Sequence, residues 1–212
     1  RNNGLAALLP SGKVLVAGGQ GIAGLLSTAE LFDPVSNSWS AGPPMTGTHY
    51  YGVLVRLNDG KLLVAGGDGT SSAEVFDPVT NTWSAAASMS TVRRNHAAAL
   101  LANGWVLVAG GMNGSYRELS TAEIFDPKTK KWHVTGSMDE VRSSCSAAAV
   151  SSGAIVIGRA SLTGSITDAE RFALQPSGAA CLSGGECISG ACADGVCCDV
   201  ACDGKCEACT AA

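Results

Sequence analysis

Charged and aromatic side chains are scarce in this 212-residue chain, at 15% and 5% of its residues. Its 14 lysines and arginines are outnumbered by 18 acidic residues, which gives a net charge of −4. The densest basic spots are only the pairs Arg93–Arg94 and Lys130–Lys131. A nucleic-acid-binding surface requires clustered basic residues, so the composition predicts that no nucleic acid is bound.

Long apolar runs and enzyme motifs are also missing. The longest apolar run, residues 97–111, is interrupted by Asn103 and Gly104, so the sequence predicts no membrane-spanning helix. No G-x-S-x-G, H-E-x-x-H or Walker motif occurs, so we predict no catalytic residue. The chain begins at Arg1 without a visible signal peptide, which favours a processed or truncated N-terminus over a cytosolic start.

What the chain does contain is glycine, with 27 residues, and an internal repeat. Three segments share the pattern A-E-x-F-D-P-x-x-x-x-W, and each follows an aliphatic run that ends in two glycines. Their spacing of 44 to 49 residues is the signature of a repeat architecture. The pattern segments start at Ala29, Ala73 and Ala122, and the aliphatic runs are Val14–Gly19, Leu62–Gly67 and Val106–Gly111.

Aligning the glycine before each aliphatic run defines four repeats, 1–46, 47–91, 92–140 and 141–175, each with up to four short strands. The aliphatic run is apolar at every position, which predicts a strand buried on both faces. Because paired glycines lack Cβ atoms, we expect a Phe or Trp side chain to lie over their backbone. The Asp-Pro segment predicts a turn in which Asp accepts backbone hydrogen bonds.

This pattern resembles the kelch repeat, which forms one four-stranded blade of a β-propeller, as in the central domain of galactose-oxidase-like proteins. The resemblance covers about residues 1–175 and implies an all-β fold. In the fourth repeat, Gly158–Arg159 replaces the glycine pair and no Trp follows, so we expect its outer strand to be missing. Propellers of this kind usually have six or seven blades, so four repeats suggest an open ring or further blades in a longer chain.

Cysteine is distributed unevenly, with eight of nine cysteines inside residues 176–212. That segment has no aromatic residue, so cross-links must stabilise it. We predict a disulfide-rich module and a secreted, cell-surface or periplasmic location. The expected disulfide cysteines, whose pairing stays open, are Cys181, Cys187, Cys192, Cys197, Cys198, Cys202, Cys206 and Cys209.

A zinc site at Cys206 and Cys209 is the alternative to a disulfide-rich module. However, the segment has no histidine and no second Cys-x-x-Cys pair at the distance that a zinc ribbon requires. Cys145 stands apart in the first strand of the fourth repeat, where we expect an inert, buried thiol. The segment resembles Cys-rich segments in secreted or surface proteins of myxobacteria and their relatives.

The kelch resemblance implies a binding surface at one end of the central channel. It would be formed by loops between second and third strands (20–28, 68–72, 112–121 and 159–168) and by blade-to-blade loops (near 40–50, 84–95 and 136–144). Guanidinium groups there would recognise carboxylates or sugar hydroxyls. The start of each repeat places Arg1, His49, Arg93 and Arg142 at one position, and Asn2, Tyr50, Arg94 and Ser143 at the next.

A structural interpretation competes with this one. The first of these positions would pair with a glutamate that recurs in each repeat, and so tie blade to blade. The recurring glutamates are Glu30, Glu74, Glu123 and Glu170. The candidate binding residues are His49, Tyr50, Arg93, Arg94, Tyr116, Arg117 and Arg142.

The same resemblance offers a copper radical oxidase as an alternative, which needs two histidines and two tyrosines on copper, one tyrosine bonded to a cysteine. The only candidates for these ligands are His49, His96, His133, Tyr50, Tyr51 and Tyr116. The histidines lie in different repeats and no Tyr-His dipeptide occurs, so we predict no metal and no cofactor. The sequence favours a non-catalytic extracellular module that binds a protein or glycan, with an oxidase fragment or a structural spacer as alternatives.

Overall fold

The computed structural model describes residues 1–158, 160–161, 164–165, 168–175, 179, 186–187, 192–193 and 196–197. Every regular element in these residues is a β-strand, which confirms the all-β prediction. No helix in this part of the chain has the length and apolar character needed to cross a membrane.

The chain divides into two compact units. The first comprises Arg1–His96 and Gly111–Glu118, and it holds the first two blades. The second comprises Ala97–Gly110 and the described residues from Leu119 onward, and it holds the third and fourth blades. The blade and module boundaries drawn from the sequence, including the one at residue 175, stay predictions.

Each blade of the first unit is a four-stranded antiparallel sheet whose strands pair in chain order. A short hairpin is inserted between the second and third strands of the first blade. The first blade and its hairpin consist of β1 (Leu5–Leu8), β2 (Val14–Ala17), β3 (Gln20–Gly21), β4 (Gly24–Leu25), β5 (Ala29–Asp33) and β6 (Ser38–Ala41). The second blade consists of β7 (Val53–Arg56), β8 (Leu62–Ala65), β9 (Ala73–Asp77) and β10 (Thr82–Ala86).

The second unit repeats this topology once in full and once in part. The third blade consists of β11 (Ala97–Leu100), β12 (Val106–Ala109), β13 (Ala122–Asp126) and β14 (Lys131–Thr135). The fourth blade and its hairpin consist of β15 (Ser146–Val150), β16 (Gly153–Ile157), β17 (Ala160–Ser161), β18 (Gly164–Ser165) and β19 (Ala169–Ala173). Among the described residues the sheet of the fourth blade has three strands, β15, β16 and β19, as predicted from the absence of a Trp in the fourth repeat.

The aliphatic runs form the buried centre of each unit. All four residues of β8 and of β12 are buried, as predicted, but in β2 the side chains of Val14 and Val16 are only partly buried, so the prediction is wrong for the first run. In the first unit Leu62 and Val64 pack with Leu15 and Ala17 of the first blade. Burying one such aliphatic side chain fully contributes roughly 1.5–3 kcal/mol, so these strands dominate the stability of each blade.

The Asp-Pro segments form the predicted turns. The carboxylate of Asp33 accepts a hydrogen bond from the backbone N–H of Val35 at 2.9 Å, and Asp77 accepts one from Val79 at the same distance. The turn returns the chain so that Phe and Trp face each other across neighbouring strands. Their ring centroids lie 5.0–5.2 Å apart in the pairs Phe32–Trp39, Phe76–Trp83 and Phe125–Trp132.

The prediction for the glycine pairs was wrong in one respect. At Gly66 the covering groups are a backbone carbonyl, a methionine and the imidazole of His96, and no Phe or Trp ring is among them. A Cβ atom on Gly66 would lie 2.5 Å from the carbonyl oxygen of Arg93 and 3.0 Å from the Met89 methyl group. Gly66 also has a φ of +64°, which L side chains rarely adopt. Glycine is therefore required because the start of the next repeat crosses this backbone directly.

The Cys-rich segment contributes one disulfide to the described structure, between Cys187 and Cys197, and both residues are buried. It lies beside the hairpin of β20 (Cys192–Ala193) and β21 (Val196–Cys197). The other predicted pairings lie outside the described residues, as do Cys181, Cys198, Cys202, Cys206 and Cys209. Cys145 takes part in no disulfide and is only partly buried, not fully buried as expected.

Candidate functional site

The first of the two aligned positions near the start of each repeat, Arg1, His49, Arg93 and Arg142, is part of the scaffold. The side chains of His49, Arg93 and Arg142 are completely buried. Arg142 donates hydrogen bonds to Glu170 and Asp168, both at 2.9 Å, and Arg1 makes the corresponding bond to Glu30 at 2.8 Å. This arrangement favours the structural interpretation of these positions.

These ion pairs bind the segment that leads into a blade to the third strand of that blade. The same segment also contacts the preceding repeat, because the backbone N–H of Arg142 donates to the carbonyl of Leu119 at 3.0 Å. The Arg142 pair therefore links the third repeat to the fourth blade, in agreement with the structural interpretation. The reason is geometric, since the chain enters each blade directly beside the N-terminal end of its third strand.

In the second blade, histidine takes the place of arginine. The Nδ1 atom of His49 lies 2.6 Å from the carbonyl oxygen of Gly66, and its Nε2 atom lies 3.5 Å from the carboxylate of Glu74. Burial alone would raise the pKa of Glu74. The close contact with His49 and the hydrogen bonds from Thr46 and the Gly47 N–H outweigh burial and lower that pKa to about 2, so Glu74 is charged at neutral pH.

His96 is a second buried histidine in the first unit. Its side chain is 5% exposed, and neither ring nitrogen has a hydrogen-bond partner among the described residues. Burial lowers its pKa to about 3, helped by the positive charge of Arg93 and by His49. The imidazole is therefore neutral and serves as packing beside Gly66.

At the second aligned position, Tyr50 and Arg94 differ from their buried neighbours. In the first unit, Tyr50 and Arg94 reach partly exposed positions and gather with Tyr51, Asp68 and Tyr116 into what we call the Tyr–Arg cluster. The guanidinium of Arg94 donates to Asp68 at 2.7 Å, and its central carbon lies 3.8 Å from the centre of the Tyr116 ring. The rings of Tyr50 and Tyr51 are 4.1 Å apart.

Backbone hydrogen bonds hold the loops of this cluster together. Arg94 and Met112 exchange a pair of backbone hydrogen bonds at 3.0 and 2.8 Å. The N–H of Asp68 donates to the carbonyl of Tyr50 at 2.7 Å, and the N–H of Asn95 donates to that of Tyr51 at 2.9 Å. The loops that carry the cluster are therefore joined to one another by backbone hydrogen bonds.

Three features of the cluster were not predicted from the sequence. Asp68 fixes the Arg94 guanidinium, Tyr51 stacks on Tyr50, and the amide of Asn3 donates to the Tyr50 hydroxyl at 3.4 Å. A hydrogen bond with Tyr50 raises the pKa of Tyr51. A usable signal was Tyr51 in the second repeat, since the equivalent residues of the other repeats are Asn3, Asn95 and Ser144.

The remaining candidates stand outside the cluster. Arg117 is exposed, and its backbone is held by the side chain of Asn113 at 3.0 Å. Arg142 lies buried in the second unit. As ligand contacts, all seven residues proposed from the sequence stay predictions.

The described residues include no group of three or more histidine, cysteine, aspartate or glutamate side chains placed to hold a metal ion. His133 lies on β14, where its ring packs at 5.3 Å from that of Trp105. His49 and His96 are buried among the contacts given above.

The family model for the Kelch motif matches residues 2–46, 49–90 and 93–139, which together are more than half of the chain. The chain is a kelch-repeat protein. The matched segments coincide with the first three blades, and the family assignment agrees with their four-stranded sheets.

Solved structures support the fold of this kelch-repeat protein. A structure of YjhT superposes with a TM-score of 0.64 at 16% identity, over 75% of this chain and 59% of YjhT. A fungal alcohol oxidase of the AA5 family, in complex with copper, superposes with a TM-score of 0.50 at 19% identity, over 62% of this chain and 29% of the oxidase. These identities show the fold alone. No curated protein matches the chain.

Proposed function

We propose that this kelch-repeat protein is a non-catalytic binding module that recognises a partner protein through the Tyr–Arg cluster. The observation that carries the proposal is the meeting of one arginine and three tyrosines on loops of successive repeats. Tyr and Arg, together with Trp, are enriched among the residues that contribute most to binding in protein interfaces. Kelch repeats in general serve as interaction modules, which agrees with this role.

The cluster has the properties of a preformed recognition surface. Arg94 is held by Asp68 and by the Tyr116 ring, so binding would immobilise few additional rotamers. The Tyr116 side chain is 64% exposed and offers a large apolar ring to a partner. Asp68 offsets the charge of Arg94, so a strongly acidic ligand is not required.

A surface glycan is the second candidate ligand. Exposed tyrosine rings can pack on sugar faces, while Asp68 and Arg94 offer an acceptor and fixed donors for hydroxyl groups. The disulfide between Cys187 and Cys197 supports an extracytoplasmic location for either ligand. Only the similarity of fold supports the copper oxidase alternative.

The test compares variants in which a single arginine is replaced by alanine. Arg94→Ala and Arg117→Ala proteins, with Arg56→Ala as the control on the exposed end of β7, are used in glycan arrays and in pull-downs from secreted and surface extracts. We expect Arg94→Ala to weaken binding at least tenfold, an effect typical of a central interface residue. Arg117→Ala should weaken it less.

Because Arg94 also contacts Asp68, Tyr116→Ala provides an independent check on an exposed side chain. Equal thermal unfolding of all variants establishes that folding is intact. Binding that is the same for all variants and for Arg56→Ala would contradict recognition at the cluster. If neither the glycan arrays nor the pull-downs yield a ligand, the result would favour the structural spacer.

A further inference from the structure

The turn between β11 and β12 contains a side-chain amide that the other repeats lack at this position. Asn103 precedes the glycine of this turn, and its Oδ1 atom accepts the backbone N–H of Trp105 at 3.1 Å. In the second blade Asp59 makes the same type of turn bond at 3.1 Å without an amide. The aligned residues of the remaining repeats are Ser11 and Ser152. The turn therefore requires an acceptor, and the amide N–H group of Asn103 is additional to it.

That amide binds the Cys-rich segment. The Nδ2 atom of Asn103 donates to the carbonyl of Cys187 at 2.8 Å. Thr135, the last residue of β14, donates its hydroxyl to the carboxylate of Glu186 at 2.6 Å. The aligned residue of the second blade, Ala86, has no side-chain donor. Two polar groups that the second blade does without thus attach the Cys-rich segment to the third blade.

The end of the fourth blade completes this attachment. The N–H of Gln175, two residues beyond β19, donates to the carbonyl of Glu186 at 2.5 Å, and Gln175 and Cys187 form a parallel bridge. Glu186 is 9% exposed and Cys187 is fully buried. We call residues 186–187 the clasp, because they join the third blade to the end of the fourth.

A disulfide holds the clasp in turn. Cys187 is bonded to Cys197, which is also fully buried and ends the hairpin of β20 and β21. The N–H of Cys197 donates to the carbonyl of Ala179 at 2.8 Å. Each strand of the hairpin has only two residues, and an isolated hairpin is at best marginally stable in water. The order of the clasp therefore depends on the cross-link.

The clasp also borders a cavity in the second unit. The cavity has a volume of about 710 Å³, and Glu186 lies in its wall beside Thr135. Apolar side chains of the third and fourth blades form other parts of the wall, among them Leu107, Val156 and Phe172. Release of the clasp would therefore open the cavity at the end of β14.

We propose that the clasp is linked to the redox state of Cys187 and Cys197. It is closed on the third blade while the disulfide exists, and it is released when a dithiol reduces that disulfide. In this reaction the dithiol loses two electrons and two protons and becomes a disulfide, and each cysteine gains one electron and one proton as a thiol. The attacking thiolate must reach a sulfur atom, and both cysteines are buried, so reduction requires that the clasp first leave the blade.

This coupling is reciprocal. If the disulfide favours the closed clasp, the closed clasp favours the disulfide by the same factor. Asn103, which lies 84 residues from Cys187 in the chain, should therefore control how readily the disulfide is reduced. A disulfide that only cross-links the Cys-rich segment would not respond to a side chain of the third blade. The proposal goes beyond binding at the Tyr–Arg cluster and does not depend on it.

The test compares full-length variants in which one blade contact of the clasp is removed. Asn103→Asp keeps the turn acceptor, as Asp59 does in the second blade, but removes the donor to Cys187. Thr135→Val removes the donor to Glu186. Asp59→Asn is the matched control, because it makes the reverse exchange at the equivalent turn of the second blade.

Each protein is equilibrated with graded mixtures of reduced and oxidised dithiothreitol. Free thiols are trapped with a maleimide, and peptide mass analysis gives the reduced fraction of Cys187 and Cys197. At a fixed dithiothreitol ratio we expect Asn103→Asp and Thr135→Val each to raise the ratio of reduced to oxidised protein about fivefold, the effect of losing one hydrogen bond. Asp59→Asn should leave the ratio unchanged.

Release of the clasp is followed directly at the Gln175 amide, which donates to Glu186. In the double variant Cys187→Ser/Cys197→Ser, hydrogen exchange of this amide should accelerate at least tenfold, while amides of β8 in the first unit keep their protection. The double variant should also bind more of the apolar dye 1-anilinonaphthalene-8-sulfonate, because the cavity is open.

Two results would overturn the proposal. In the first, the reduced fraction of Cys187 and Cys197 is the same in Asn103→Asp, Thr135→Val and the original chain. In the second, the Gln175 amide stays protected in the double variant, so that the clasp closes without the disulfide. If the double variant does not fold, the comparison of Asn103→Asp with Asp59→Asn still decides, because both proteins retain every cysteine.

Discussion

The first and second blades share a sequence pattern, yet their side chains meet different surroundings. Phe76 is fully buried and Phe32 is only partly buried, although both precede an Asp-Pro turn and both contact a tryptophan. Glu74 is 3% exposed, whereas the side chain of Glu30 is half exposed. The repeated sequence therefore determines where a strand forms, whereas the packing of a neighbouring blade determines how deeply the side chains of that strand are buried.

The largest expected difference between the two blades concerns the paired phenylalanines. Phe76→Ala should lower the free energy of unfolding by about 3–5 kcal/mol, because it leaves a cavity in a filled core. Phe32→Ala should lower it by about half as much or less, since its ring is already partly in water. Urea denaturation of the two variants measures this difference, and equal losses would contradict it.

The next largest difference is expected between the equivalent glutamates Glu74 and Glu30. Glu74→Gln should lower the free energy of unfolding at pH 7 by about 2–3 kcal/mol, since each unit of pKa shift is worth about 1.4 kcal/mol. Glu30→Gln should lower it by less than about 1 kcal/mol, because its ion pair with Arg1 is exposed to solvent.

The contribution of Glu74 also has a defined pH dependence. Folding lowers its pKa from 4.5 to about 2, so its stabilising effect is complete above pH 4.5 and is lost as the pH falls towards 2. Denaturation curves between pH 7 and pH 2 should therefore converge for the original chain and Glu74→Gln. A constant gap over this range would exclude the lowered pKa.

The smallest difference should be found between the tryptophans. Trp83→Phe removes the hydrogen bond to the Pro43 carbonyl and should lower the free energy of unfolding by about 1 kcal/mol beyond the loss of ring size. Trp39→Phe removes no hydrogen bond seen in the described residues, and so should have the smaller effect. Thermal unfolding of the two variants at equal concentration checks the order.

A second contrast lies between adjacent residues at the start of each repeat. His49, Arg93 and Arg142 are buried, while their neighbours Tyr50 and Arg94 belong to the partly exposed Tyr–Arg cluster. From the sequence these positions formed one list of binding candidates. A side chain one residue further along the chain points in another direction, and only the structure separates the two sets.

Much of the scaffold could be predicted because its causes are local. The Asp33 and Asp77 turns follow from the hydrogen-bonding geometry of Asp-Pro segments. The buried strands β8 and β12 follow from their unbroken apolar sequence. The carbonyl over Gly66 could not be predicted, since it comes from Arg93, 27 residues further along the chain.

The sequence by itself determined the kelch repeat, the strand order within each blade and the loss of a Trp strand from the fourth repeat, because spacing and residue type act over short distances. Only the tertiary structure decided which repeated charges are buried and that Asp68 holds Arg94 above Tyr116. It also decided that Phe32 of the first blade is only partly buried, whereas Phe76 of the second blade is fully buried. These outcomes depend on contacts between residues far apart in the chain, and neither periodicity nor composition records such contacts.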